Sequence, residues 1–447
     1  MQQEYLIEEY DELDPDTWDE LENEEDSAFI ASVVRQGEKP EDCEASLDEL
    51  ERLADTAGIT ILGRYSQKRA QPERSTYFGK GFLEEISTKM VQAGANLLII
   101  NDELSPMQAR NIEKTHQIKV IDRTEVILTI FHRHAKTKEA KLQVRLAELQ
   151  YQLPRLKRLW GHFDKERGSV RSAGGSATRG MGEKQIEIDK RLIRENIRKI
   201  TKTIDQITKH KETQRKQRDK SKKICLVGYT NAGKSTLFNC LTDAGVLVED
   251  RLFATLDSTS RQLKLSTGSP AVISDTVGFI SNLPHHLVAS FRATLMEAVD
   301  ADLLLHTVDI ADPRHDYYIS QVNDVLKSIG AENIPQLLVL NKSDLVDTRL
   351  QSMLQRHYED SIAISAANGD GIDQLLSKIE SMLMDNRRFR LILPYAQTAL
   401  VSRLHDIAII EEEDYLEDGI HLKVVVPAMD AHLVQDFVVD NATGENS

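Results

Sequence analysis

Short runs of consecutive apolar residues alternate, in the first third of the chain, with segments whose apolar positions recur every three or four residues. Ile59 to Leu62, Asn96 to Ile100 and Lys119 to Ile121 read as buried strands, and the stretches Phe82 to Gln92, Pro106 to Thr115 and Glu125 to Arg133 carry the helical period. This alternation predicts a small parallel α/β domain over residues 47–135. Gly79-Lys80-Gly81 precedes one of its helices. A lone GxG can cradle a phosphate on backbone N–H groups, but it serves a turn equally well, and the turn is the reading adopted.

The rhythm then changes. Leu142, Leu146, Leu149, Leu153 and Leu156 recur at spacings of four and three, as do Ile186, Ile193, Ile197, Ile200, Ile204 and Ile207 at heptad-related spacings. Two such seams separated by a glycine-rich stretch predict an antiparallel helical hairpin over residues 136–220, with a Gly/Arg-rich loop at 167–182. Pro154 falls inside the first seam, where a missing N–H should kink the helix. Beyond residue 221 strand-like runs and helical patterns alternate again to about 386, and residues 387–447 read as a small C-terminal α/β domain and tail.

Charge changes this picture in two places. Residues 1–26 hold thirteen Asp or Glu and no Lys or Arg, so the net charge of −16 falls to about −3 without them. That composition predicts an acidic, disordered leader within residues 1–46, with Tyr5, Leu6, Ile7, Leu13 and Trp18 as a conceivable docking motif. From Lys184 to Lys223, by contrast, fifteen Lys or Arg face six Asp or Glu. The bland reading is a solvated face on a long connecting helix. The sharper one is a structured-RNA contact, in which Arg167, Arg171 and Arg179 meet phosphates or bases while Gly174 and Gly175 let the backbone approach closely.

No apolar run approaches the roughly 18 residues that span a bilayer, so no membrane role is expected. The three cysteines, Cys43, Cys225 and Cys240, form no CxxC pair. A reducing cytoplasmic setting and a monomer are expected, with Cys225 and Cys240 as small buried hydrophobes rather than metal ligands.

The chemistry concentrates after Ile224 to Val227, an apolar strand that runs into Gly228-Tyr229-Thr230-Asn231-Ala232-Gly233-Lys234-Ser235 and then Thr236. This is GxxxxGK[ST] in its strand, loop and helix setting: amides wrap phosphates, Lys234 neutralises them and the Ser235 hydroxyl ligates Mg²⁺. Forty residues past Ser235, Asp275-Thr276-Val277-Gly278 supplies DxxG, with Asp275 organising Mg²⁺ directly or through water and the Gly278 amide sensing the γ-phosphate. Between them Phe253-Ala254-Thr255-Leu256-Asp257 offers Thr255 as a further Mg²⁺ ligand, with Thr259 as its rival. Asn341-Lys342-Ser343-Asp344 follows another apolar run, and its Asp344 carboxylate can accept from guanine N1 and N2 together, a donor pair adenine lacks. Ser365-Ala366 completes the base pocket with an amide for guanine O6. Lys234, Thr255 and Gly278 are the groups expected at the reacting phosphate. After Gly278 stands Phe279, which can neither accept a proton nor hold a water, so slow intrinsic hydrolysis is expected.

Taken with Phe78-Gly79-Lys80-Gly81, Asn101-Asp102-Glu103-Leu104-Ser105-Pro106, Glu139 to Leu149, and Gly174 to Glu183, these motifs make the chain resemble the HflX family of ribosome-associated GTPases from about residue 50 to 430. Where that family's loop commonly reads GTRGPGE, this chain has Ala177-Thr178-Arg179-Gly180-Met181-Gly182-Glu183. The resemblance selects Thr255 over Thr259. It implies a mostly parallel, doubly wound P-loop GTPase domain over 221–386 between the N-domain and hairpin and the C-terminal domain. It further implies GTP and GDP as ligands, binding to the large ribosomal subunit through the hairpin, ribosome-stimulated hydrolysis, and splitting or rescue of stalled ribosomes under stress. The competing reading is a GTP-dependent switch that binds a protein effector, with the basic helix only a spacer.

Overall fold

A computed structural model describes residues 26–156, 177–216, 221–242, 252–253, 259–265, 270–280, 292–383, 386–416, 418–427 and 433–440. The acidic segment 1–25 lies outside them, as do Arg167, Arg171, Gly174 and Gly175.

The N-terminal domain begins earlier than its composition suggests. Strand β1 (Ser27–Val34) and the first turns of helix α1 (Pro40–Thr56) fall in the stretch assigned to the leader. β1 is an inner strand, buried along nearly its whole length, so it reads as one continuous apolar run rather than an alternating one. The neighbouring charge hid it. After β2 (Thr60–Lys68), α2 (Lys80–Ala93), β3 (Leu97–Ile100), α3 (Pro106–His116), β4 (Lys119–Asp122) and α4 (Arg123–His134), the sheet is parallel in the order β2-β1-β3-β4. Gly79 is the N-cap of α2 and its N–H donates to Gln67 Oε1 at 3.0 Å, in keeping with a turn.

Helices α5 (Lys138–Gln152) and α6 (Ala177–Lys216) join their seams as expected: Leu142, Leu146 and Leu149 share a core with Ile200, flanked by Ile193, Ile197, Ile204 and Ile207. Pro154 sits in a 3₁₀ turn that ends α5. Residues 177–182, expected in the loop, are the first turns of α6. Gly180 and Gly182 each cost about 1 kcal/mol relative to alanine, a penalty that propagation from a long helix already formed can carry.

The third unit contains β5 (Lys222–Gly228), α7 (Lys234–Thr242), β6 (Thr259–Lys264), β7 (Pro270–Asp275), α8 (Arg292–Val299), β8 (Leu303–Asp309), α9 (His315–Ile329), β9 (Gln336–Asn341), α10 (Thr348–His357), β10 (Ile362–Ala363) and α11 (Ile372–Leu383). Its sheet order is β10-β9-β8-β5-β7-β6, parallel except for the edge strand β6. On one face Ile224, Leu226, Leu303 and Val339 pack with Leu375 and Ile379. On the other, Cys225, Val227 and Leu304 meet Tyr318 and Val322 in a core that continues into the N-terminal domain through Leu47, Leu50 and Phe131.

The last unit is β11 (Asn386–Leu393), α12 (Thr398–Ile407), β12 (Ile409–Leu416), β13 (Gly419–Pro427) and β14 (Val438–Asp440), an antiparallel sheet in the order β12-β13-β11-β14. Cys225 is buried as expected, but Cys240 is exposed, because it falls on the outer side of α7.

Candidate nucleotide site

The parallel sheet of the third unit delivers its loops to one edge, and the described residues of the expected nucleotide motifs converge there. β5 ends at Gly228, whose φ of +152° and closeness to β8 exclude any side chain: a Cβ would lie 2.3 Å from the Thr307 carbonyl oxygen. Gly233, at φ +88°, is equally constrained, since a Cβ would stand 2.2 Å from Asn341 Nδ2. The loop therefore wraps tightly into the N-terminus of α7, where unsatisfied amides and the helix dipole favour an anion.

Lys234, the first residue of α7, is only 6% exposed. Its ammonium donates to the Gly228 and Tyr229 carbonyls at 3.0 and 2.8 Å, which fixes its direction. Burial pulls its pKa down to about 8, opposed by the Asp275 carboxylate. A phosphate arriving there would meet a positive charge that the protein holds at a desolvation cost. Ser235 donates to Asp275 Oδ2 at 2.7 Å, and Asp275 is fully buried at the end of β7. Thr276 ties the following turn to β5 by donating to the Leu226 carbonyl at 2.7 Å. Gly278 comes so close that a Cβ would lie 2.9 Å from Thr230 Cα and 3.0 Å from Lys234 Nζ. Phe279 then pairs with the loop: its N–H donates to the Gly228 carbonyl at 3.1 Å, and its own carbonyl accepts from the Thr230 N–H at 2.7 Å.

The residues expected to recognise the base form a clasp. Asn341, 2% exposed, donates through Nδ2 to the Ala232 carbonyl at 2.9 Å and accepts on Oδ1 from the Ala366 N–H at 3.0 Å. Ser365 donates to Asp344 Oδ1 at 2.6 Å, and the Lys342 ammonium pairs with Asp309 at 2.7 Å. One side chain thus fastens the phosphate loop to both base loops. Thr259 opens β6 directly opposite Asp275 in the ladder. Ala254, Thr255, Leu256 and Asp257 lie outside the described residues, and of Arg179 only the backbone, in α6, is described.

Sequence reasoning missed part of the surroundings. Phe253, expected beside nucleotide, turns its ring edge-on to Phe131 of the N-terminal domain at 4.7 Å. Tyr229 donates its hydroxyl to Glu49 on α1. His306 on β8 is buried, its Nδ1 2.6 Å from Gln336 Nε2, and burial together with the Lys234 charge pushes its pKa down to about 3. Glu49 did leave a trace, as an acid set within the apolar stripe Leu47, Leu50, Leu53 of an amphipathic helix.

No helix among the described residues is long and apolar enough to cross a membrane. A strand, glycine loop and helix bearing a buried lysine, a serine facing a buried aspartate, and an asparagine clasp beside Lys342 and Asp344 define a P-loop guanine-nucleotide-binding domain. Four family models match in succession: GTP-binding GTPase N-terminal over residues 44–132, GTP-binding GTPase Middle Region over 134–218, 50S ribosome-binding GTPase over 223–342, and HflX C-terminal domain over 352–436. The GTPase HflX of Caldanaerobacter subterraneus is 40% identical over 427 residues, which cover 95% of this chain and 96% of that protein. The GTPase HflX of Escherichia coli is 40% identical over 391 residues, covering 86% of this chain and 90% of that one. The chain belongs to the HflX family of GTPases.

Proposed function

We propose that this GTPase binds GTP with Mg²⁺ at the edge of its parallel sheet, hydrolyses it slowly alone and faster on the large ribosomal subunit, and there splits or rescues stalled ribosomes under stress. The observation that carries the nucleotide assignment is the Asn341 clasp, which fixes Asp344 at a set position relative to the phosphate loop. Amides from Gly228 to Thr236 would take the phosphates, Lys234 the β and γ oxygens, Asp344 the guanine edge, and the Ala366 amide its O6. Ser235 and Asp275 juxtapose a hydroxyl and a carboxylate, hard oxygen donors that suit Mg²⁺, an ion that commonly takes one or two protein groups beside phosphates and waters. Thr255 joins them in this reading. The ion, when bound, neutralises charge on the phosphates.

Phe279 is buried with Val277 and Ile280 in the core shared with the N-terminal domain, which supports slow intrinsic turnover, since its ring neither polarises nor orients a water. The basic excess along α6 and the preceding Arg167, Arg171 and Arg179 support rRNA as the partner surface. GTP turnover by the full chain, with and without large ribosomal subunits at fixed salt and with Lys234→Ala as control, tests the proposal. Strong stimulation that disappears in the control is expected. Absence of both stimulation and co-sedimentation in the GTP state would transfer the assignment to a switch acting on a protein effector.

A further inference from the structure

The N-terminal domain reaches the phosphate loop through a run of buried charge that the nucleotide chemistry does not itself require. Glu49 is 4% exposed in a helix stripe of leucines, where a carboxylate is costly unless every lone pair is used. Arg123, also buried, donates from Nη2 to Glu49 Oε2 at 2.8 Å and from Nη1 to Asn101 Oδ1 at 3.1 Å. Asn101 in turn donates to Ser46 Oγ at 2.8 Å. The remaining Glu49 oxygen, Oε1, accepts from the Tyr229 hydroxyl, which belongs to the other domain. Tyr229 follows Gly228 in the loop, stacks on Tyr318 with ring centroids 4.1 Å apart, and offers its carbonyl to Lys234. A chain of hydrogen bonds therefore runs from Asn101 through Arg123, Glu49 and Tyr229 to the lysine.

Its location is telling. Asn101 follows β3 and Arg123 follows β4, at the carboxyl ends of a parallel sheet whose order β2-β1-β3-β4 reverses direction beside β1. That crevice is where open α/β sheets receive a ligand. From that side Arg123 reaches Glu49 on α1, and the tyrosine of the neighbouring domain's phosphate loop donates to the same carboxylate. Phe253 on Phe131, and Val277 and Phe279 within the same core, bring the segments that flank the phosphates against the same domain.

We infer that Tyr229 and Glu49 are positioning residues for the phosphate loop, that the N-terminal domain is through them a structural part of the nucleotide site, and that nucleotide binding and domain docking strengthen each other. The inference rests on the nucleotide site proposed above. Linkage makes the coupling reciprocal: a domain that holds the loop in shape for phosphate is itself held more firmly once phosphate is bound.

The test uses the full chain and fluorescently labelled GDP. Tyr229→Phe keeps the ring on Tyr318 and leaves Glu49 paired with Arg123, whereas Glu49→Gln removes the charge. Each is expected to speed GDP release by about fivefold or more, with the double variant no faster than the quicker single one. In the native chain GDP should slow amide exchange along α1, and this effect should shrink in Tyr229→Phe, a change that mere interface packing would not produce. Unchanged GDP release together with full GDP-induced protection of α1 in Tyr229→Phe would overturn the inference. A native chain that binds no GDP at all would instead overturn the site assignment beneath it. Because Tyr229→Phe strands no charge, the test survives if Glu49→Gln fails to fold.

Discussion

Removing the Asn341 side chain is the sharpest perturbation of the site as a whole. The residue is almost fully buried, and its amide satisfies a carbonyl at Ala232 and an N–H at Ala366, both on buried residues. Asn341→Ala leaves two backbone groups without partners, at about 1–3 kcal/mol each, or roughly 2–6 kcal/mol for the assembled site. Some of that cost is relieved when the loops move apart in the empty protein, so a large share falls on nucleotide binding. Even about 2 kcal/mol raises the Kd for GDP roughly thirtyfold. Isothermal titration with GDP and Mg²⁺, alongside thermal unfolding to establish that the chain remains folded, reads this directly. A folded variant whose GDP affinity stays within threefold of the native value would refute the idea that one side chain couples the phosphate and base loops.

Asp344→Asn replaces the acceptor proposed for guanine N1 and N2 with an amide, so competition binding should show GTP affinity falling at least about 100-fold while xanthosine triphosphate gains relative to GTP. Phe279→Gln places an amide in the interdomain core, where Phe279 is 3% exposed; the expected result in urea unfolding is a loss of about 2–4 kcal/mol, with no faster intrinsic hydrolysis, and an accelerated rate in a stable variant would be the contrary finding. His306 is held neutral by burial down to about pH 3, whereas the unfolded chain protonates it near 6.5. Between those values the unfolded state carries the extra proton, so stability falls as pH drops; at pH 4.5 His306 should cost about 2–3 kcal/mol relative to pH 7, and His306→Gln should lose correspondingly less stability in urea unfolding over the same interval.

Much of the fold follows from periodicity because each element's pattern matched its surroundings. β3, β4 and β9 appear where short apolar runs placed them, and the leucine and isoleucine seams of α5 and α6 meet in one core. The failures have distinct causes. β1 adjoins a segment so acidic that average composition outweighed eight residues of local pattern. The start of α6 runs through glycines whose propensity argues for a loop, yet a helix already propagating from Ile186 onward carries them. Cys240 shares the polarity of a core residue but sits on the outer side of α7, since residue type alone does not specify which side of a short helix faces inward.

The site divides along the same line. Lys234, Ser235, Asp275, Gly278, Asn341 and Asp344 could be proposed from sequence, and are found together in the fold, because phosphate, metal and guanine would each demand particular atoms at particular points of a strand-loop-helix frame, which fixes residue type and spacing locally. Glu49 and Tyr229 make no such local statement, being 180 residues apart, and either one alone has an ordinary explanation as an interface polar group or a loop aromatic. What a sequence does retain is the anomaly: an acid embedded in the leucine stripe of α1 cannot be satisfied by its own helix, so it requires a donor from elsewhere in the fold. Arg123 supplies one donor and the phosphate loop the other. That shared satisfaction is why the boundary between the two domains, sharp as a change of pattern, is continuous as a network of buried charge.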